Sequence, residues 1–422
     1  MIDGSVACLY NALIYLGAGC FSVYYMVAYH DVGLSVLLIS IVNVVFDVSE
    51  SASELPTSVL FDRWSRERTL IIGVLCRVAG FILMLFWSTN FAVLCLANVL
   101  AGIGAAVESG AASSLYIEYA SKHDPSLGMK TLVSRLSAMI GVCTICGGAV
   151  GAVLFLLDSQ LIWLGATVFY VLAIIPLLGL MRAGSRTKAA ATDGSGTTER
   201  QAEASVESDG SAEPGESGTS LTVLDHVRQT VAAAAVLLRK PEIWNMVVFN
   251  LGTLSVLTFW QLLLMGHQTG VWWQFAGLVF TNIAQIVGSR LGMLRLHPRS
   301  GDIAILVLIV SAVVLAATPI PAVRILAFFV FSCAQMYVAN MISSSLHESI
   351  DDSIRATAFS VGSLVLMAFT AVVTPLCGYI ADTFSISWDT LTTIPLLVAL
   401  LIAGLARKPE SDKRVKVDIS LD

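Results

Sequence analysis

The sequence predicts an all-α membrane protein of twelve transmembrane helices in two pseudo-symmetric six-helix bundles, and three observations lead there. Of its 422 residues 56% are hydrophobic and only 13% charged, with a mean hydropathy of +0.80. A soluble chain of this length needs roughly a quarter of its residues charged to cover its surface, so most of this surface faces lipid. Apolar windows of about 20 residues, the length that crosses a bilayer, recur in two sets of six. Basic residues fall almost entirely on one side of those windows.

The first set is expected at 5–29, 34–59, 69–87, 91–117, 131–157 and 161–181, and the second at 243–265, 271–293, 303–318, 322–345, 356–381 and 391–406. The first window starts a few residues after Met1, with no basic leader and no small-residue cleavage site, so it is expected to be a retained helix rather than a removed signal. The expected organisation is an N-terminal bundle at 1–182, a flexible linker at 183–220, an amphipathic helix at 221–240, a C-terminal bundle at 241–406 and a tail at 407–422. The linker is rich in Gly, Ser and acidic residues and cannot bury enough surface to order itself. Leu221, Leu224, Val227 and Val231 then return at helical spacing, which suits a helix lying on the membrane surface.

With both termini in the cytoplasm, all of the 24 Lys and Arg except Arg77, Arg135 and Arg324 fall in inner loops, the linker or the tail. That is the asymmetry anionic lipid and the membrane potential select, and it places the chain in the cell's inner membrane as a multi-pass protein. A weak repeat supports two related halves: His30-Asp31-Val32-Gly33 ends the first helix of one half, and His267-Gln268-Thr269-Gly270 ends that of the other. Two such halves are expected to carry a solute pathway at their interface.

The chemistry available is narrow. Cys143 and Cys146 form a CxxC inside an apolar run with no second pair and no His or acid nearby, so they are read as small packing residues. No metal or cofactor is expected. Neither a Walker sequence nor a nucleophilic triad is visible, which argues against an ATPase or membrane enzyme, and nothing marks a nucleic-acid surface.

Charges within the windows need a reason, because an ionisable group at mid-bilayer costs several kcal/mol unless paired or hydrated. Asp47, Glu50 and Glu54 are spaced by three and four residues and share a helix face. At 1.5 Å per residue, Glu50, Arg77 and Glu108 all come out roughly 12 to 14 Å from the inner side. Either Arg77 is neutralised in a buried ion pair that holds the bundle together, or a carboxyl is left over to load and release a proton. One Arg cannot neutralise three acids, which favours the second reading. The second half instead carries uncharged polar groups: Asn250, Gln261, Asn282, Gln285, Gln335 and Asn340. With Asn11, Tyr15 and Tyr24 they can line a cavity suited to an amphipathic organic solute, and each can equally be an interhelical hydrogen bond. His30 and His267 near the outer surface are read as solvated or capping.

After the second window comes Glu54 to Leu70, ELPTSVLFDRWSRERTL. This segment resembles the G-x-x-x-D-R-x-G-R-R loop of the major facilitator superfamily. Asp62 and Arg63 match its D-R pair and Arg66 its first closing base; Ser58 and Ser65 replace the glycines, and Glu67 with Arg68 replaces the last Arg. Gly102 to Ala120 is similar to that superfamily's fourth helix and His347 to Val365 to the loop and eleventh helix of many members, while the second-half copy near Gly288, Gly292, Arg295 and Arg299 has lost its Asp. Gly141, Gly147, Gly148 and Gly151 resemble the fifth-helix glycine signature of drug/proton antiporters without its Pro, and they can also simply let helices approach closely.

The resemblance implies the major facilitator fold and secondary transport by alternating access. It implies that Asp62, Arg63 and Arg66, joined by Glu118 and Arg135, form a latch of charge-assisted bonds made in one conformation only. Arg355 with Glu348, Asp351 and Asp352 is the expected counterpart. The expected function is proton-coupled efflux of a small amphipathic solute, with Glu50, Glu108, Asp47 and Arg77 as coupling residues. The alternatives are proton-coupled uptake of a small metabolite and a transporter-derived sensor that moves nothing. The expected partners are the solute, protons and the lipid bilayer, and the chain is expected to be a monomer.

Overall fold

The computed structural model describes residues 2–63, 66–123, 128–194, 240–265, 270–293, 299–349 and 355–406, and among them every regular element is a helix. We number these α1 (Ile2–Ser22), α2 (Tyr25–Asp31), α3 (Val36–Arg63), α4 (Arg66–Trp87), α5 (Phe91–His123), α6 (Met129–Leu157) and α7 (Leu161–Gly194), then α8 (Pro241–Met265), α9 (Val271–Met293), α10 (Ser300–Ala317), α11 (Pro321–Ser349), α12 (Arg355–Thr383), α13 (Ile386–Leu391) and α14 (Thr393–Ala406). Ten stretches among these are long and apolar enough to cross a membrane, the pair α13/α14 supplying one, and α1 with α2, bent by 40°, makes an eleventh. The twelfth is α9, whose 23 residues reach across a bilayer although Gln274, Asn282, Gln285 and Arg290 dilute its apolar character. The architecture is the twelve-helix, all-α fold the sequence predicts.

Three departures have local causes. The first window is broken at Val23 and Tyr24, both fully buried, where the chain turns before α2. α7 runs on to Gly194 instead of stopping at 181, so the start of the segment read as a linker is helical; its Lys and Ala residues favour that continuation. The last window begins five residues early as α13, capped by Ser385, whose side chain accepts from the backbone N–H of Trp388. The expected surface helix at 221–240 and the tail at 407–422 lie outside the described residues, apart from Lys240.

The chain divides into two compact units, 1–34 with 42–233, and 35–41 with 234–422. Lipid tails are as apolar as Leu, so helix association here rests on close packing and interhelical bonds more than on water exclusion. In the first unit α1 meets α6 through glycine: a Cβ on Gly147 or Gly151 would run into the carbonyl oxygens of Leu16 and Cys20. The Tyr24 hydroxyl adds a bond to the Gly148 carbonyl at 2.9 Å. An aromatic column links Tyr170, Phe81, Trp163 and Tyr29, with successive ring centroids 5.3, 6.2 and 5.4 Å apart. The core of the second unit gathers Phe249, Leu263, Leu308, Leu315, Phe328 and Phe331. Trp260 stacks on Phe328 at 5.3 Å. The first turns of α3 group with this unit, where the Asp382 carboxylate accepts from the backbone N–H groups of Val36 and Leu37 at 2.8 and 2.9 Å.

Candidate functional site

Two glycines place the charges of the first unit. A Cβ on Gly104 would stand 2.6 Å from Arg77 Cγ and 2.6 Å from the Gly73 carbonyl, and one on Gly73 would stand 2.7 Å from Val107 Cγ1. The α4/α5 crossing is therefore tight enough to lay the Arg77 stem on the backbone of α5. One turn beyond Gly104 comes Glu108, and Arg77 Nε stands 3.4 Å from Glu108 Oε2, with the two side chains only 12% and 9% exposed. Tyr170 from α7 donates to the same oxygen at 3.4 Å. The guanidinium lies 5.6 Å from the Phe46 ring centroid and 5.9 Å from that of Tyr170, distances at which an aromatic face attracts a cation.

The pair is loose. Glu108 Oε1, Arg77 Nε and the hydroxyl of fully buried Tyr10 have no hydrogen-bond partner. Tyr15, half-buried and bonded to Ser113, lies within electrostatic reach of Glu108. Glu50 is half-buried on α3, which Gly102 allows to approach α5, and it interacts electrostatically with Arg77, Asp47 and Glu54. Asp47 is exposed and lies within reach of Tyr25 instead. Of the four expected coupling residues the fold thus brings together Arg77, Glu108 and Glu50 and leaves Asp47 at the margin. Tyr10, Tyr170 and Phe46 complete the cluster, and nothing in their sequence positions distinguishes them from other aromatics of apolar windows.

At the far end of the same helices, Arg66 Nη1 meets Glu118 Oε2 at 2.5 Å with the side chains 39% and 42% exposed. The Tyr119 hydroxyl donates to Glu67 Oε1 at 3.2 Å. Asp62 and Arg63 belong to the last turn of α3, and their side chains lie outside the described residues. Arg135 is exposed on α6, within electrostatic reach of Tyr116. The expected counterpart in the second half lies outside the described residues: 351–354 are not described, nor are the side chains of Glu348 and Arg355.

The cavity candidates fall into different surroundings. Asn11 is fully buried and donates to the carbonyls of Ala7 and Ala112 at 3.0 and 3.2 Å, tying α1 to α5. Tyr24 is likewise buried against α6. Asn250 and Asn282 bond carbonyls of their own helices, Met246 at 2.8 Å and Leu278 at 2.9 Å. Gln261 is buried, Gln285 exposed, and Gln335 and Asn340 half-buried. His30 is exposed, and His267 lies outside the described residues.

One buried acid escaped the sequence reading. Asp389 on α13 is fully buried; its Oδ2 accepts from Ser255 Oγ of α8 at 2.6 Å, and the Cys377 thiol of α12 also bonds it. Its Oδ1 has no partner. Ser385 opening a helix with an acid four residues on was the sequence signal available.

A family model of the Major Facilitator Superfamily matches residues 7–368. Among solved structures, a variant of the nucleoside transporter NupG is similar at a TM-score of 0.70 and 14% identity, over 96% of this chain and 99% of that one. A variant of the peptide transporter POT in complex with sulfate is similar at 0.63 and 15%, over 96% and 92%. These likenesses show the fold. No curated protein matches in sequence. Matched over most of its length by the family model, this chain belongs to the Major Facilitator Superfamily and is a secondary transporter rather than an enzyme.

Proposed function

We propose that the chain exports a small amphipathic solute in exchange for protons, with Glu108 as the proton-carrying group, Arg77 as its countercharge and Glu50 as the second acid in reach of that Arg. The observation that carries this reading is the loose Arg77–Glu108 contact: 3.4 Å, buried, with Oε1 left without a partner. A carboxyl with one unmade bond, one cation and a phenol beside it has two protonation states that its neighbours can each accommodate. Deprotonated, it pairs with Arg77; protonated, it frees Arg77 for Glu50. Each state asks for a different placement of the helices, which is how a proton biases a two-state protein.

The latch at Arg66 and Glu118 belongs to the same scheme as a contact formed in one facing and broken in the other. The half-buried polar groups Gln335 and Asn340, with Tyr15, remain the candidates for solute contact. The nucleoside and peptide transporters of similar fold carry polar organic solutes, and such solutes belong in a first screen beside amphipathic cations. The test is solute-dependent proton movement in reconstituted vesicles. Proton entry coupled to solute exit is the expected result. Proton and solute moving in the same direction would make the protein an importer, and solute movement indifferent to a pH gradient would remove the proton from the mechanism.

A further inference from the structure

The crossing of α1 and α6 gathers sulfur that the sequence places far apart. Gly147 stands against the Leu16 carbonyl and Gly151 against that of Cys20, so the two helices run side by side with no side chain between them there. The same spacing of 131 positions, carried two turns back along both helices, sets Met139 against Cys8, and the Cys8 thiol donates to Met139 Sδ at 3.3 Å. Cys143 follows Met139 by four residues, one turn along the same face of α6, and lies within electrostatic reach of Cys8. All three residues are half-buried. Cys146 is exposed, and no group of three His, Cys, Asp or Glu among the described residues converges closely enough to hold a metal. The third sulfur beside Cys8 and Cys143 is therefore that of Met139.

Two thiols from different helices and one thioether are a ligand set with a definite preference. Zinc takes four ligands drawn from thiolate, imidazole and carboxylate. Only two of the three groups here are of those kinds, and thiolates joined by a thioether select a soft ion, Cu(I). A three-coordinate ion with metal–sulfur bonds of about 2.3 Å spaces its sulfurs about 4 Å apart, so Cys8 and Met139 need to part by less than about 1 Å, within the freedom of an unbranched Met side chain. Binding releases the two thiol protons and leaves a complex with one negative charge. Tyr116 lies within electrostatic reach of both Cys8 and Arg135, which sets a positive charge at the same end of the crossing. We propose that Cys8, Met139 and Cys143 form a site for one Cu(I) ion that bridges α1 and α6.

The experiment titrates the full chain, purified in detergent and kept anaerobic with ascorbate, with Cu(I) held by the chelator bicinchoninate, and records copper K-edge absorption of the loaded protein. The parent protein should take one equivalent of Cu(I) from the chelator, into a shell of three sulfurs with no nitrogen or oxygen. Cys8→Ser and Cys143→Ser should each weaken binding by more than about 100-fold, beyond the loss typical of a supporting outer group. Met139→Leu, which keeps the bulk of the side chain, should reduce the shell to two sulfurs and weaken binding by roughly 10-fold. Cys146→Ser should bind as the parent does. No uptake by the parent protein overturns the proposal, as does a shell containing nitrogen or oxygen, and neither reading needs a variant to fold. So does binding by C8S equal to that of the parent, or a loss in C146S equal to that in C143S, which would put the ion on the CxxC of α6 alone.

Discussion

The two units each bury a carboxyl, and they treat it differently. Glu108 in the first faces a guanidinium at 3.4 Å and a phenol at 3.4 Å. Asp389 in the second faces a hydroxyl at 2.6 Å and a thiol, with no ion pair among the described residues. The first arrangement carries a permanent positive charge that must be answered in every state of the protein. The second carries neutral dipoles only. Partner chemistry separates the two: a carboxyl beside a cation changes the charge balance of its bundle when it takes a proton, whereas a carboxyl among hydroxyls and thiols mainly exchanges one hydrogen-bond pattern for another.

Removing the cation should break this comparison most severely. Arg77→Gln leaves Glu108 buried among phenols with no cation against it, and breaking a buried pair on one side typically costs about 3–5 kcal/mol. The double variant R77Q/E108Q should regain most of that loss, because no uncompensated charge remains. Thermal unfolding of the purified protein in detergent compares the two directly, and a double variant no more stable than R77Q would mean that the pair is not what couples these residues.

The helix crossing should come next. A side chain at Gly104 meets both the Arg77 stem and the Gly73 carbonyl, so Gly104→Val forces α4 and α5 apart at an overpacking cost of about 1–3 kcal/mol. It should also lower transport by widening the Arg77–Glu108 gap. Gly128, with nothing near its Cβ position, supplies the control: Gly128→Ala should leave both stability and transport unchanged.

Asp389→Asn sharpens the contrast from the other side. The amide keeps an oxygen for Ser255, so the change in stability should stay below about 1 kcal/mol, and gradient-driven transport should persist. Loss of coupling in D389N would move the proton site to the second unit. The smallest effect belongs to Arg66→Gln. Its pair with Glu118 is more than a third exposed, and exposed pairs contribute about 0–1 kcal/mol. Stability should hardly move, while the accessibility of pathway cysteines to labelling should shift if the pair is made in one facing only.

How much of this was legible beforehand follows from what each feature depends on. The windows fall close to the helices because crossing a bilayer imposes length and apolarity on each segment separately. Arg77 and Glu108 could be matched from sequence because both lie at a depth fixed by 1.5 Å per residue. The Arg66–Glu118 contact was legible in the same way, both residues standing near helix ends on one side. Tyr10 and Tyr170 were not legible, since their role comes from three helices meeting at one point and apolar windows hold many aromatics. Asp389 was missed because Ser387, Trp388 and Asp389 lower the local hydropathy, which pushed the expected start of the last helix past them. The tie of Asn11 to the Ala112 carbonyl depends on which carbonyl a neighbouring helix turns toward it, and periodicity does not encode that.

The claim at the centre is that Glu108 carries the coupling proton. It is tested most directly by Glu108→Gln in reconstituted vesicles, with pH-gradient-driven transport, solute exchange at equilibrium and thermal stability measured on the same preparation. The account predicts that gradient-driven transport is abolished while exchange and folding persist, since the neutral amide stands in for the protonated acid and no longer responds to pH. Gradient-driven transport equal to that of the parent protein would contradict it.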